Sequence, residues 1–130
     1  MFARTVVPAI LSLSFVFAPG LASAASEGGS PMGAWARGDG GTKVKVAPCG
    51  QDICATNTWI KPGNKSEKVG DVLVMKVKDN GSGAYKGTAF DKQRNMNFKM
   101  TLTVAGDNMT TRGCVLGGVI CKNVSWNKIQ

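Results

Sequence analysis

Phe98-Lys99-Met100-Thr101-Leu102-Thr103-Val104 places four apolar residues on one side of an extended chain and three polar ones on the other. A period of two leaves little room for a helix, so this stretch reads as a half-buried β-strand. Val72 to Lys78 has the same pattern, with Leu73, Met75 and Val77 as its inner set.

Outward from these two runs, turn residues recur at short intervals: Pro62-Gly63-Asn64, Asp79-Asn80-Gly81-Ser82-Gly83, Ala105-Gly106-Asp107-Asn108 and Gly117-Gly118. Such spacing marks an all-β sandwich or barrel. Further strands are expected at about 33–37, 42–48, 53–60, 84–90, 108–115 and 119–127. Eight short antiparallel strands suffice to close a barrel. No repeat, coiled-coil heptad or useful amphipathic helix interrupts the pattern.

The N-terminus has a different character. Arg4, an uncharged run from Val6 to Phe17, the Pro19-Gly20 break and Ala22-Ser23-Ala24 have the order of a secretory signal peptide. Ser12, Ser14 and Pro19 interrupt the apolar run, and a membrane span needs about twenty apolar residues. The expected organisation is therefore a leader at 1–24, cleaved near Ala24, a flexible lead-in at 25–31 and one domain at 32–130. A periplasmic or secreted location follows, with no transmembrane span in the mature chain. Removing 24 of 130 residues leaves 106, enough for one domain.

A domain of this size buries only about two thirds of its surface, which makes covalent support expected. Cys49, Cys54, Cys114 and Cys121 form an even set in an exported chain and read as two disulfides. Four cysteines allow three pairings, and the sequence alone does not choose among them. The local one, Cys49 with Cys54 and Cys114 with Cys121, is favoured because each pair flanks turn residues that reverse the chain. A four-thiolate metal site normally has C-x₂-C knuckles, whereas the intervals here are four and six residues. No metal and no cofactor are expected.

The mature chain carries 15 basic and 8 acidic residues and contains no histidine. The commonest general base and the Ser-His and Cys-His nucleophile pairs are thus absent. Carboxylate chemistry would have to use Asp39, Asp52, Asp71, Asp79, Asp91 or Asp107, most of them in ordinary turn contexts. Asp91, at the end of Tyr85-Lys86-Gly87-Thr88-Ala89-Phe90, is alone in suggesting a special position, and a turn role explains it better. No phosphate loop, dinucleotide fingerprint or calcium loop is present. An enzyme is therefore not expected. N-x-S/T sequons begin at Asn64, Asn80, Asn108 and Asn123 and have meaning only in a glycosylating host.

Basic proteins are drawn to anionic surfaces. Yet Lys43 and Lys45, and Lys76 and Lys78, alternate within strand-like runs, as on a solvated sheet exterior. The aromatics are dispersed about one per strand, unlike a base-stacking platform, so nucleic acid is not an expected partner.

Met32-Gly33-Ala34-Trp35, Val44-Lys45-Val46, Cys49-Gly50-Gln51-Asp52-Ile53-Cys54 and Trp59 open a series of motifs that continues through the whole mature domain. Lys68-Val69-Gly70-Asp71-Val72-Leu73, Ala84-Tyr85-Lys86-Gly87, Arg112-Gly113-Cys114-Val115-Leu116-Gly117-Gly118-Val119-Ile120-Cys121 and Ser125-Trp126-Asn127-Lys128 follow in order. The series resembles a bacterial exported family, the domain of unknown function 2147. The chain departs from the family pattern at Ala55, at Tyr85, at Lys128 and in the turn Asp91-Lys92-Gln93-Arg94-Asn95. The resemblance implies a small lipocalin-like antiparallel β-barrel. Gly33-x-Trp35 and Lys128 agree with it, since lipocalins pack a first-strand tryptophan under a basic residue of the last strand.

Such a barrel is just wide enough for its own side chains or for one small ligand. The functional expectation is a binding protein for a small apolar or amphipathic molecule. Val44, Val46, Leu73, Met75, Val77, Phe98, Met100 and Leu102 are the expected lining, with Trp35, Trp59 and Tyr85 near the ends. A filled barrel is equally compatible with the sequence. The alternative function is a cationic envelope module docking on anionic lipid or polysaccharide.

Overall fold

The computed structural model describes residues 29–129. The expected leader, the first part of the lead-in and Gln130 lie outside the described residues. The chain forms eight strands: β1 (Gly33–Arg37), β2 (Thr42–Cys49), β3 (Asp52–Ile60), β4 (Val72–Asp79), β5 (Ala84–Asp91), β6 (Met96–Ala105), β7 (Asn108–Val115) and β8 (Ile120–Lys128). Every sequence neighbour pairs antiparallel, and β1 also pairs with β8 through Trp35 opposite Lys128, so the sheet closes into a barrel. The only other element described is a 3₁₀ turn at Leu116–Gly118. No helix among the described residues is long and apolar enough to cross a membrane.

Alternation along the strands sets which side chains enter the barrel. On β6, Met100, Leu102 and Val104 are buried, while Lys99 and Thr103 face water. Trp35, Val44, Val46, Met75, Ala89 and Met109 complete the core. Lys43, Lys45, Lys76 and Lys78 stand on the exposed outer surface, as their alternate spacing predicts.

Both disulfides are local: Cys49 joins Cys54 across the β2–β3 turn, and Cys114 joins Cys121 across the β7–β8 hairpin. All four thiols are consumed, so none remains as a metal ligand.

Because the barrel is an up-and-down meander, its connections fall at two ends. Turns 50–51, 80–83 and 106–107 share one end with residues 29–32 and with the C-terminal end of β8. That end is closed. Trp35 is fully buried, and its indole Nε1 donates a 2.8 Å hydrogen bond to the carbonyl of Pro31, itself buried although its sequence context suggests a flexible lead-in. The Lys128 ammonium lies 5.7 Å from the centre of the Trp35 ring, a cation–π contact. Backbone bonds from Lys128 N to Asp107 O (2.8 Å) and from Ile129 N to Ala34 O (2.9 Å) fasten the terminal strand there. The tryptophan and basic pair expected of a lipocalin-like barrel are thus in contact.

Candidate functional site

Loops 38–41, 61–71, 92–95 and 116–119 gather at the opposite end, and a cavity of about 220 Å³ opens among them. Its deep walls are apolar: Val44 and Val46 from β2, Leu73 and Met75 from β4, Met100 and Leu102 from β6. Phe98, Met109, Val124 and Trp126 complete them, and the Trp126 indole is held by a 3.0 Å bond to Thr111 Oγ1. A more open vestibule bounded by Asn64, Ser66, Arg94, Lys122 and Ser125 lies outside.

Where the walls meet the vestibule they become polar. Arg37, the last residue of β1, places its guanidinium against Glu67 of the β3–β4 loop with Nη1–Oε1 and Nη2–Oε2 distances of 2.8 and 3.1 Å. Its Nε donates to Asp39 at 2.9 Å. The fork of donors on arginine suits this two-point grip on a carboxylate. Glu67 also accepts from Asn64 Nδ2 at 2.6 Å and from the buried Thr42 hydroxyl at 3.2 Å. On the far side of the mouth, Arg94 pairs with Asp91 at 2.8 Å and donates to the Ser66 carbonyl, also at 2.8 Å. Two arginines therefore pin the β3–β4 loop across the opening.

Arg37 holds the Glu67 carboxyl below its ordinary range, assisted by Asn64 and opposed by partial burial. The same contact raises the Arg37 guanidinium. A carboxyl depressed in the folded state contributes stability that is present above its unfolded value, near 4.3, and lost as pH falls through the lower folded value. Between pH 5 and pH 3, hydrogen-exchange protection of the Ser66 and Glu67 amides, both bonded to Asn64 Oδ1, is expected to fall in the parent chain. In Glu67→Gln it is expected to be low throughout and nearly independent of pH.

The sequence model of the family described as "Uncharacterized protein conserved in bacteria (DUF2147)" matches residues 33–128, which spans all eight strands. The chain belongs to this family. No curated protein and no solved structure matches the chain.

The motif blocks of the domain of unknown function 2147 have clear structural places in this barrel. In Arg112-Gly113-Cys114, Arg112 donates across the hairpin to Asn123 at 3.2 Å, and Gly113 leaves room for a ring. A Cβ there would stand 3.1 Å from two atoms of Phe98. The Gly87 block is equally spatial: a Cβ would overlap the Lys76 carbonyl oxygen and stand 3.0 Å from the Val77 Cα. Of the positions that depart from the family pattern, Ala55 lines the cavity and Lys128 covers Trp35. In the divergent 91–95 turn, Asp91 Oδ1 accepts from the backbone of both Gln93 and Arg94 at 3.1 Å.

Seven of the eleven residues expected from the sequence, Val44, Val46, Leu73, Met75, Phe98, Met100 and Leu102, come together on the cavity wall of this domain, while Val77 packs partly buried against the core. Trp35 lies in the closed end, and Tyr85 packs partly buried against the core, with burial raising its phenol. Trp59 sits elsewhere. A register shift between β2 and β3 brings it opposite Lys43 on the outer surface, where the two stack at 5.2 Å and Trp59 is 40% exposed. The collar residues Arg37, Asn57, Glu67 and Arg94 are not among the residues expected from the sequence. Only Asp91, noted for its strand-end position, pointed toward them.

Proposed function

We propose that this is a non-catalytic binding protein of the periplasm or extracellular space that takes a small apolar or amphipathic molecule into the open end of its barrel. The observation that carries this reading is the apolar cavity beneath a charged collar: an aliphatic part fits the Val, Leu and Met walls, and a polar head meets Arg37, Asn57 or Arg94. A preformed apolar pocket with a few convergent polar groups is the usual form of a small-molecule site. At about 220 Å³ the space is smaller than the roughly 300–1,000 Å³ of typical ligand pockets. The proposed ligand is accordingly short, a medium-chain amphiphile in preference to a long lipid tail.

Titration with the fluorescent amphiphile N-phenyl-1-naphthylamine tests this. Saturable enhancement at one site is expected, competed by decanoate. Ala55→Phe, which places a ring on the cavity wall, is expected to weaken binding at least about tenfold, the loss of about 1.4 kcal/mol, while the fold is kept. Absence of saturable binding, or equal binding by Ala55→Phe, would overturn the reading.

A further inference from the structure

The β7–β8 hairpin ends in an apolar tip that the barrel does not use. Leu116, Val119 and Ile120 are 72, 82 and 55% exposed, and Val115 and Cys121 behind them are clamped by the Cys114–Cys121 disulfide. Single exposed apolar residues are unremarkable, but three together on one projecting turn are a candidate contact surface. Leu116 is further marked by its backbone: at φ 52° it occupies the left-handed region, which disfavours a branched side chain. A glycine or asparagine would suit that conformation better, and no burial of the leucine side chain offsets it.

Charge at the mouth end is predominantly positive. Lys61, Lys65, Lys68, Lys92 and Lys122 lie on or beside the mouth-end loops and make no salt bridge among the described residues, whereas of the mouth carboxylates Asp39, Glu67 and Asp91 are paired with the mouth arginines and Asp71 alone makes no salt bridge. At the closed end, Asp52, Asp79 and Asp107 balance Lys78, Lys86 and Lys128. The barrel is therefore electrically lopsided along its axis, with more basic than acidic side chains at the end that carries the apolar tip and equal numbers at the closed end.

From this pairing of an exposed apolar finger with a ring of free lysines, we infer that the mouth end docks on an anionic phospholipid surface, with Leu116, Val119 and Ile120 entering the headgroup region. Interfacial anchors combine these two elements, apolar insertion and attraction to anionic lipid. The orientation turns the cavity mouth toward the bilayer. Docking itself requires no occupant in the cavity and stands or fails separately from ligand binding.

Co-sedimentation of the full chain, as purified from a bacterial host, with phosphatidylglycerol-containing vesicles and with phosphatidylcholine vesicles tests the inference. Binding is expected to the anionic vesicles and to weaken severalfold in high salt as the lysines are screened. Leu116→Asn with Val119→Ser is expected to weaken it about tenfold while the melting temperature stays at or above that of the parent. Lys65→Glu with Lys68→Glu is expected to weaken binding far more than Lys78→Glu with Lys86→Glu, although both pairs change the net charge equally. Failure of the parent chain to bind, full binding by the tip variant, or equal effects of the two lysine pairs would overturn the inference. So would a parent dimer that the tip variant converts to monomer without any vesicle binding, since the tip would then be covered by a second copy of the chain.

Discussion

Trp35→Ala is expected to destabilise the barrel by about 4 kcal/mol, lowering the melting temperature by roughly 20 °C for a domain of this size. The indole is completely buried, and three interactions converge on it: the hydrogen bond to Pro31, the Lys128 ammonium over its face and the β1–β8 seam on which it sits. Truncation leaves a cavity at the one end of the barrel that is packed shut. It also loosens residues 29–32, whose attachment includes the indole N–H. Trp35→Phe separates these effects, since it retains most of the packing and loses the hydrogen bond, a change of about 1 kcal/mol. Urea denaturation followed by circular dichroism measures both. A loss for Trp35→Ala no greater than that for Trp35→Phe would show that the closed end is not organised around this ring.

Reduction of both disulfides carries a comparable effect by another route. The bonded cysteines are 5 and 7 residues apart, and closing loops so short removes about 2 kcal/mol of chain entropy each from the unfolded state. Together that is a large share of the 5–15 kcal/mol by which small domains are stable. The bridges occupy different hairpins at opposite ends of the barrel, so their contributions should add. Replacing either pair by serines is expected to lower the melting temperature by roughly 10 °C, and both pairs by roughly 20 °C. If removing both cost no more than removing one, the bridges would be acting through shared structure and not independently.

The strand pattern was legible because the closed sheet has one apolar and one wet face, and period-two alternation survives in single strands such as β6 and β4. Turn chemistry then set the boundaries, and the two disulfides fell where the short cysteine intervals put chain reversals. Trp59 shows where this logic stops. Ile53, Ala55, Asn57 and Trp59 share one parity, but the register shift in the β2–β3 ladder inserts an extra residue and turns the tryptophan outward to Lys43. A bulge leaves no sign in the apolar pattern.

The collar was hidden for a different reason. Arg37 and Glu67 are separated by 30 residues and Arg94 and Ser66 by 28, and each looks like ordinary surface composition until barrel closure brings four loops to one end. The apolar wall could be read from periodicity. The polar contacts above it depend on loop conformation, which periodicity does not encode.

The central claim, that the apolar cavity is a binding site, is tested most directly by the methionine methyl groups. Met75, Met100 and Met109 line the cavity, whereas Met32 packs against the core at the closed end and Met96 is exposed. With methyl-labelled methionine, titration with decanoate is expected to shift the NMR signals of Met75, Met100 and Met109 in a saturable way while Met96 stays still. Unchanged cavity methyls, or shifts confined to Met96, would contradict the account and leave the barrel a filled scaffold.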